Sequence, residues 1–129
     1  MHPDDPVGPE PGAVEVAVRA DSGAAVVAVA GDVDASAVDT VRGAIDEALR
    51  GTPRAVVLDL SAVALLASAG MTLLLEATED LRDRGVPLLL AASVRTVRRP
   101  LRITGLDRVL TLHDDVPSAL VAVPAADHG

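Results

Sequence analysis

Val14, Val16 and Val18 alternate with Glu15, Ala17 and Arg19, the two-residue period of a strand with one wet face. Asp21-Ser22-Gly23 supplies turn residues, and Ala24 to Ala30 is a second apolar run ended by Gly31, so the two runs are predicted to form an antiparallel hairpin. After Gly31-Asp32-Val33-Asp34 the period becomes helical. Val38, Val41, Ile45, Ala48 and Leu49 fall on one side, with Asp39, Arg42, Asp46 and Glu47 on the other. Asp34 or Ser36 is placed to cap this helix, and Gly51 followed by Pro53 closes it. Gly43 lies inside it, which implies either a close approach to the sheet or a helix weakened by about 1 kcal/mol relative to alanine.

Val56 to Leu60 reads as a central strand, apolar on both faces as parallel strands are. A short loop follows, and a helix from about Ala69 buries Met71, Leu74, Leu75, Thr78 and Leu81 before Arg84-Gly85 ends it. Val86 to Ala92 is a further strand. The third helix has Val94, Val97 and Leu101 on its apolar side, and Pro100 inside it predicts a kink or a split, because proline removes one helical hydrogen bond. Val109 to Leu112 is a last short strand, and Asp114-Asp115-Val116-Pro117 opens a final helix running to about Val123. Residues 1–12, with four prolines, two glycines and three acids, are predicted to be a disordered tail, as are residues 124–129, around one domain at 13–123. The order of elements predicts an α/β fold: a mainly parallel four- to five-stranded sheet with an N-terminal antiparallel hairpin and about four helices.

Composition narrows the function. Half of the 129 residues are hydrophobic, yet Phe, Tyr and Trp are absent, so the core must be built from Ala, Val and Leu. The net charge of −8, from 11 basic residues that are all Arg against 19 acidic ones, disfavours nucleic acid and anionic lipid as partners. With no aromatic ring, no base-stacking platform exists either. Absence of cysteine removes disulfides and thiolate chemistry and predicts a cytoplasmic protein. The longest apolar tract, Ala62 to Leu75, is interrupted by Ser68, Gly70 and Thr72 and falls short of the roughly 18 residues that would insert into a membrane.

Catalytic machinery is not visible. His2, His113 and His128 have no ligand-spaced partners, so neither a metal nor another cofactor is predicted. Ser68 is flanked at two residues by Leu66 and Gly70 rather than by the paired glycines of a nucleophile elbow, and Gly70 alone is not a phosphate-binding loop. The chain is therefore read as a non-enzyme. Ser68 nevertheless stands at a strand-to-helix junction. By itself such a serine is a helix cap contributing about 1 kcal/mol, but an anion formed there would also face unpaired backbone N–H groups and the positive end of the helix dipole.

The element order, the segment Gly31-Asp32-Val33-Asp34, Ala67-Ser68-Ala69-Gly70, and Val97-Arg98-Arg99 followed by Thr104-Gly105-Leu106 together resemble the STAS domain of bacterial anti-sigma-factor antagonists, over roughly residues 13–123. The resemblance implies a partner switch. In that family the loop usually reads Asp-Ser-Ser/Thr/Ala-Gly-Leu, and the anti-sigma factor, itself a serine kinase and ATPase, phosphorylates the serine after the aspartate. Carried over by position, Ser68 is the phosphoacceptor. Asp32, Asp34, Leu66, Ala67, Ser68, Ala69, Gly70, Met71 and Thr72 are then the partner-binding residues, and a serine phosphatase would reverse the modification. Ala67 departs from the family pattern, which removes a hydrogen-bond acceptor and a negative charge beside Ser68. Two other roles remain open under the same resemblance: a subunit of an ABC-type lipid or solute transport complex, and a scaffold subunit of a stress-sensing complex.

Two further features lie outside those motifs. Leu65 and Leu66 either are exposed contact residues or include one that closes the core beneath the loop. Arg95, Arg98, Arg99 and Arg102, at helical spacing, would share one face of a regular third helix, as a solvated stripe or as a surface for an acidic partner.

Overall fold

The structure, a computed structural model, describes residues 13–126. Its elements are β1 (Glu15–Asp21), β2 (Ala24–Val33), α1 (Val38–Leu49), β3 (Val56–Leu66), α2 (Ser68–Asp83), β4 (Leu88–Ala91), α3 (Arg95–Thr104), β5 (Leu112–His113) and α4 (Val116–Val121). The strands lie side by side in chain order; β1 is antiparallel to β2, and every other pairing is parallel. This is the mixed α/β sheet with four helices that the hydrophobic pattern predicts.

Each parallel crossover advances one strand in the same direction, so a constant right-handed connection places α1, α2 and α3 on one face. Packing agrees. Val27, Val29, Leu58, Leu60 and Leu90 meet Val41, Ile45, Leu73, Leu74, Leu81, Val97 and Leu101 in one cluster. The other face holds a smaller cluster in which Ala119 of α4 covers Ala24, Val26, Ala55, Val57, Leu89 and Ala91. A core of such small side chains lets helices sit close to the sheet.

Local chemistry explains the turns. Ser22 and Gly23 have φ of 54° and 83°, the paired positive values of a two-residue hairpin turn whose twist suits the strands. Asp34 Oδ1 accepts the Ser36 N–H at 3.0 Å and its hydroxyl at 2.6 Å, capping a 3-10 turn at Ala35–Ala37 that leads into α1. At Gly43 a Cβ would meet nothing within 4 Å, so the weaker-helix alternative holds and no close approach requires this glycine.

The predicted boundaries fail where the strands become irregular. β2 continues through Gly31, at φ 100°, to Val33, and β3 continues from Leu60 to Leu66. Pairing moves from Ala28↔Asp59 to Ala30↔Ala62, and from Gly31↔Val63 to Asp32↔Leu65, so β3 carries an extra residue twice, as bulges. Inward positions consequently recur every third residue, at Leu60, Val63 and Leu66. The first bulge is held by Asp59, whose Oδ1 accepts the Ser61 N–H at 3.0 Å and its hydroxyl at 2.7 Å. β4 and β5 are shorter than predicted, and a 3-10 turn at Leu106–Arg108 precedes β5. α3 is one continuous helix with Pro100 inside it. Of the kink or split expected there, the split does not occur, and Thr96, whose carbonyl loses its helical donor to Pro100, is exposed to solvent. The predicted tail at 1–12 lies outside the described residues, as do 127–129; the Pro124 carbonyl accepts the Arg54 Nε at 2.9 Å.

Candidate functional site

The candidate site is the junction at the C-terminal ends of β2 and β3. Val33 pairs with Leu66, and the Val33 carbonyl accepts the Ala67 N–H at 3.0 Å. Asp32 and Asp34 are thereby brought beside Ala67 and Ser68 across more than thirty residues of sequence. Asp32 is half-buried at the strand end, paired with Leu65. Asp34 is engaged as a cap, and the hydrogen bond from the Ser36 hydroxyl, with further bonds from backbone N–H groups, holds its carboxyl below the ordinary aspartate range.

Ser68 is the first residue of α2, not its cap. The cap position belongs to Ala67, extended at φ −84° and ψ 172° and lacking an acceptor side chain. The first helical hydrogen bond runs from the Met71 N–H to the Ala67 carbonyl at 3.0 Å, which leaves the N–H groups of Ser68, Ala69 and Gly70 without helical acceptors. Ser68 is exposed, and the first turn of α2 contains no acidic residue. Thus an exposed serine sits at a terminus whose dipole and N–H groups without helical acceptors favour an anion.

The remaining predicted residues divide by depth. Thr72 is exposed, Ala67, Ala69 and Met71 are half-buried, and Leu66 and Gly70 are buried. Gly70 meets a steric demand: a Cβ there would lie 2.5 Å from the Val33 carbonyl oxygen and 2.9 Å from both Leu66 Cδ1 and Val33 Cγ1. The same oxygen accepts the Ala67 N–H and limits how bulky the residue at position 70 can be. Leu66 closes the core beneath the junction, while its neighbour Leu65 remains 48% exposed. The arginine stripe also divides. Arg98 folds inward, donating from Nε to the Ala92 carbonyl at 2.6 Å and pairing with Asp114 at 3.0 Å; Arg95, Arg99 and Arg102 stay exposed.

Among the described residues no group of three or more His, Asp and Glu could hold a metal ion, and no helix is long and apolar enough to cross a membrane.

Known proteins match this architecture over nearly its whole length. The anti-sigma-F factor antagonist RsfB of Mycobacterium tuberculosis is 33% identical over 113 residues, covering 88% of this chain and 92% of the relative. The crystal structure of an anti-sigma factor antagonist from Mycobacterium paratuberculosis superposes with a TM-score of 0.78 at 32% identity, over 89% of this chain and 97% of that one. Bacillus SpoIIAA in its phosphorylated form, at 19% identity, shares the fold with a TM-score of 0.62 over 85% of this chain and 100% of its own. The STAS domain model matches residues 15–119, and with these relatives it shows that the chain belongs to the STAS domain family.

Proposed function

We propose that this protein is an anti-sigma-factor antagonist: it captures a kinase-type anti-sigma factor through the β2/β3/α2 junction and releases it when Ser68 is phosphorylated. The observation that carries the switch is the exposed Ser68 on a helix N-terminus with three N–H groups that have no helical acceptor. The antagonist role draws support from the 33% identity to a protein named for that role.

Phosphorylation here would join Ser68 Oγ to the γ-phosphorus of ATP and break its bond to the bridging oxygen, so that ADP leaves. The hydroxyl proton passes to a base supplied by the kinase, because Ala67 offers none. The product carries about −1.5 to −2 charges at neutral pH. The N–H groups of the first turn can donate hydrogen bonds to the phosphate oxygens without unfolding α2. The penalty therefore falls on the docked complex, as repulsion from acidic groups and as the cost of desolvating a dianion.

Affinity capture of the tagged protein from its native host, with mass-spectrometric identification, tests the partner; an anti-sigma factor is expected. Incubation of the purified pair with ATP and magnesium then tests the switch. A mass gain of one phosphate in wild type that disappears in Ser68→Ala, with loss of binding in the modified form, is expected. Equal gain in Ser68→Ala, or undiminished binding after phosphorylation, would refute the switch.

A further inference from the structure

A trough runs alongside the junction between the end of β3 and the outer side of α3, with Ala64, Leu65 and Leu66 on one wall and Arg95, Arg99 and Pro100 on the other. We infer that this trough is a second docking surface of the same interface, and that its occupant is an acidic segment of the anti-sigma factor that sets an apolar side chain against Leu65 with carboxylates at Arg95 and Arg99. The inference rests on the antagonist role proposed above.

Three observations carry it. The trough is continuous with the junction, since Leu65 and Leu66 lead directly into Ala67 and Ser68. Thr104 of α3 also places its hydroxyl 3.8 Å from Met71 Sδ in the first turn of α2, so the C-terminal end of α3 lies against the turn that carries Ser68. The trough is largely apolar and uncovered: Leu65 on its wall is 48% exposed, and Ala64 beside it is exposed as well. Charge supplies the third. Arg95 and Arg99 form no ion pair with a described residue, unlike Arg98 of the same helix, which pairs with Asp114, and both line the trough. In a chain of net charge −8, two guanidinium groups with no carboxylate partner among the described residues, beside an exposed leucine, form a local patch of positive charge. It is complementary to carboxylates flanking an apolar residue, and guanidinium pairs with carboxylate through two parallel hydrogen bonds.

The test uses the purified anti-sigma factor identified by affinity capture, titrated calorimetrically against the full-length protein at two salt concentrations. Arg95→Glu combined with Arg99→Glu is expected to weaken binding by about tenfold or more and to flatten its salt dependence. Leu65→Ser, which leaves the charges in place, is expected to weaken binding by about fivefold without changing the salt dependence. All these side chains are exposed, so melting curves should match wild type. Arg102→Glu, on α3 but outside the trough, is the control and should shift affinity by less than about twofold. Binding of the double variant and of Leu65→Ser within twofold of wild type overturns the trough while leaving the antagonist role standing. Failure of the wild-type protein to bind an anti-sigma factor at all overturns that role and this inference with it.

Discussion

Replacing Gly70 by alanine should destabilise the protein, although the same change in an ordinary helix stabilises it. The added Cβ would lie 2.5 Å from the Val33 carbonyl oxygen, where ordinary contact begins at 3.4 Å, and 2.9 Å from carbons of Val33 and Leu66. A backbone carbonyl cannot rotate away, and this one already holds the Ala67 N–H at 3.0 Å, so relief requires α2 to lift from β2. Overpacking of this kind costs about 1–3 kcal/mol. Stretching the Ala67 bond removes about 1 kcal/mol, and the better helix propensity of alanine returns about the same, leaving a net loss of about 1–3 kcal/mol. Gly43 is the internal control, since a Cβ there meets nothing within 4 Å, and Gly43→Ala should gain about 1 kcal/mol. Without Phe, Tyr or Trp the chain has no aromatic reporter, so unfolding is followed by far-ultraviolet circular dichroism in urea and on heating. At about 4 °C per kcal/mol for a chain of this size, the two melting temperatures should separate by roughly 10 °C, on opposite sides of wild type. A Gly70→Ala protein as stable as wild type would show that the approach of α2 to β2 is looser than described, and would undo the claim that this glycine holds the junction in place.

Other outcomes follow from the same geometry. Asp34→Ala should lower the melting temperature at neutral pH by removing the acceptor for Ser36. Because the folded carboxyl is held below its ordinary range, that contribution is complete above the unfolded aspartate pKa of about 4 and lost as pH falls through the lower folded value; melting of wild type and variant should converge in acid, and a difference that persists or grows there would contradict the cap. Arg98→Ala should destabilise by about 1 kcal/mol in urea unfolding, since it frees the Ala92 carbonyl and the Asp114 carboxylate, while Arg102→Ala stays within about 0.5 kcal/mol of wild type. Leu74→Ala, at a position 1% exposed in the main cluster, should cost about 2–5 kcal/mol by the same assay.

Regular periods made the sheet and its helices legible in the sequence; the bulges of β3 hid its second half. A strand is recognised by alternation, but after Asp59 the inward residues are three apart, so Ser61 to Leu66 resembles a loop in sequence while it pairs with β2 in space. The signal was present in Asp59 and Ser61, an acid and a hydroxyl two positions apart, the same pairing that Asp34 and Ser36 use at a turn. Depth at the junction was beyond periodicity for the same reason. Leu65 and Leu66 are chemically identical, and only the register of the second bulge decides that Leu66 enters the core and Leu65 does not. Shared helical spacing likewise concealed the fate of Arg98, which the Ala92 carbonyl and Asp114 draw away from its neighbours on α3.

The strain limits at the junction bear on how a modification of Ser68 would act. Leu66 is buried before it, Gly70 is pressed against the Val33 carbonyl after it, and Ala67 is bonded to that same carbonyl, so the residues around the hydroxyl have little room to rearrange. A phosphate there adds its charge at a fixed position, on a helix end already suited to hold it. Transmission through the fold is then unnecessary: the free and modified proteins should share one backbone and differ in the surface they offer. Amide spectra of the two forms test this directly. Changes confined to Asp32–Asp34, Leu65–Thr72 and the facing side of α3 fit a rigid platform whose charge alone switches; changes running through α1 or β4 would require a conformational route that the packing around Gly70 does not leave open.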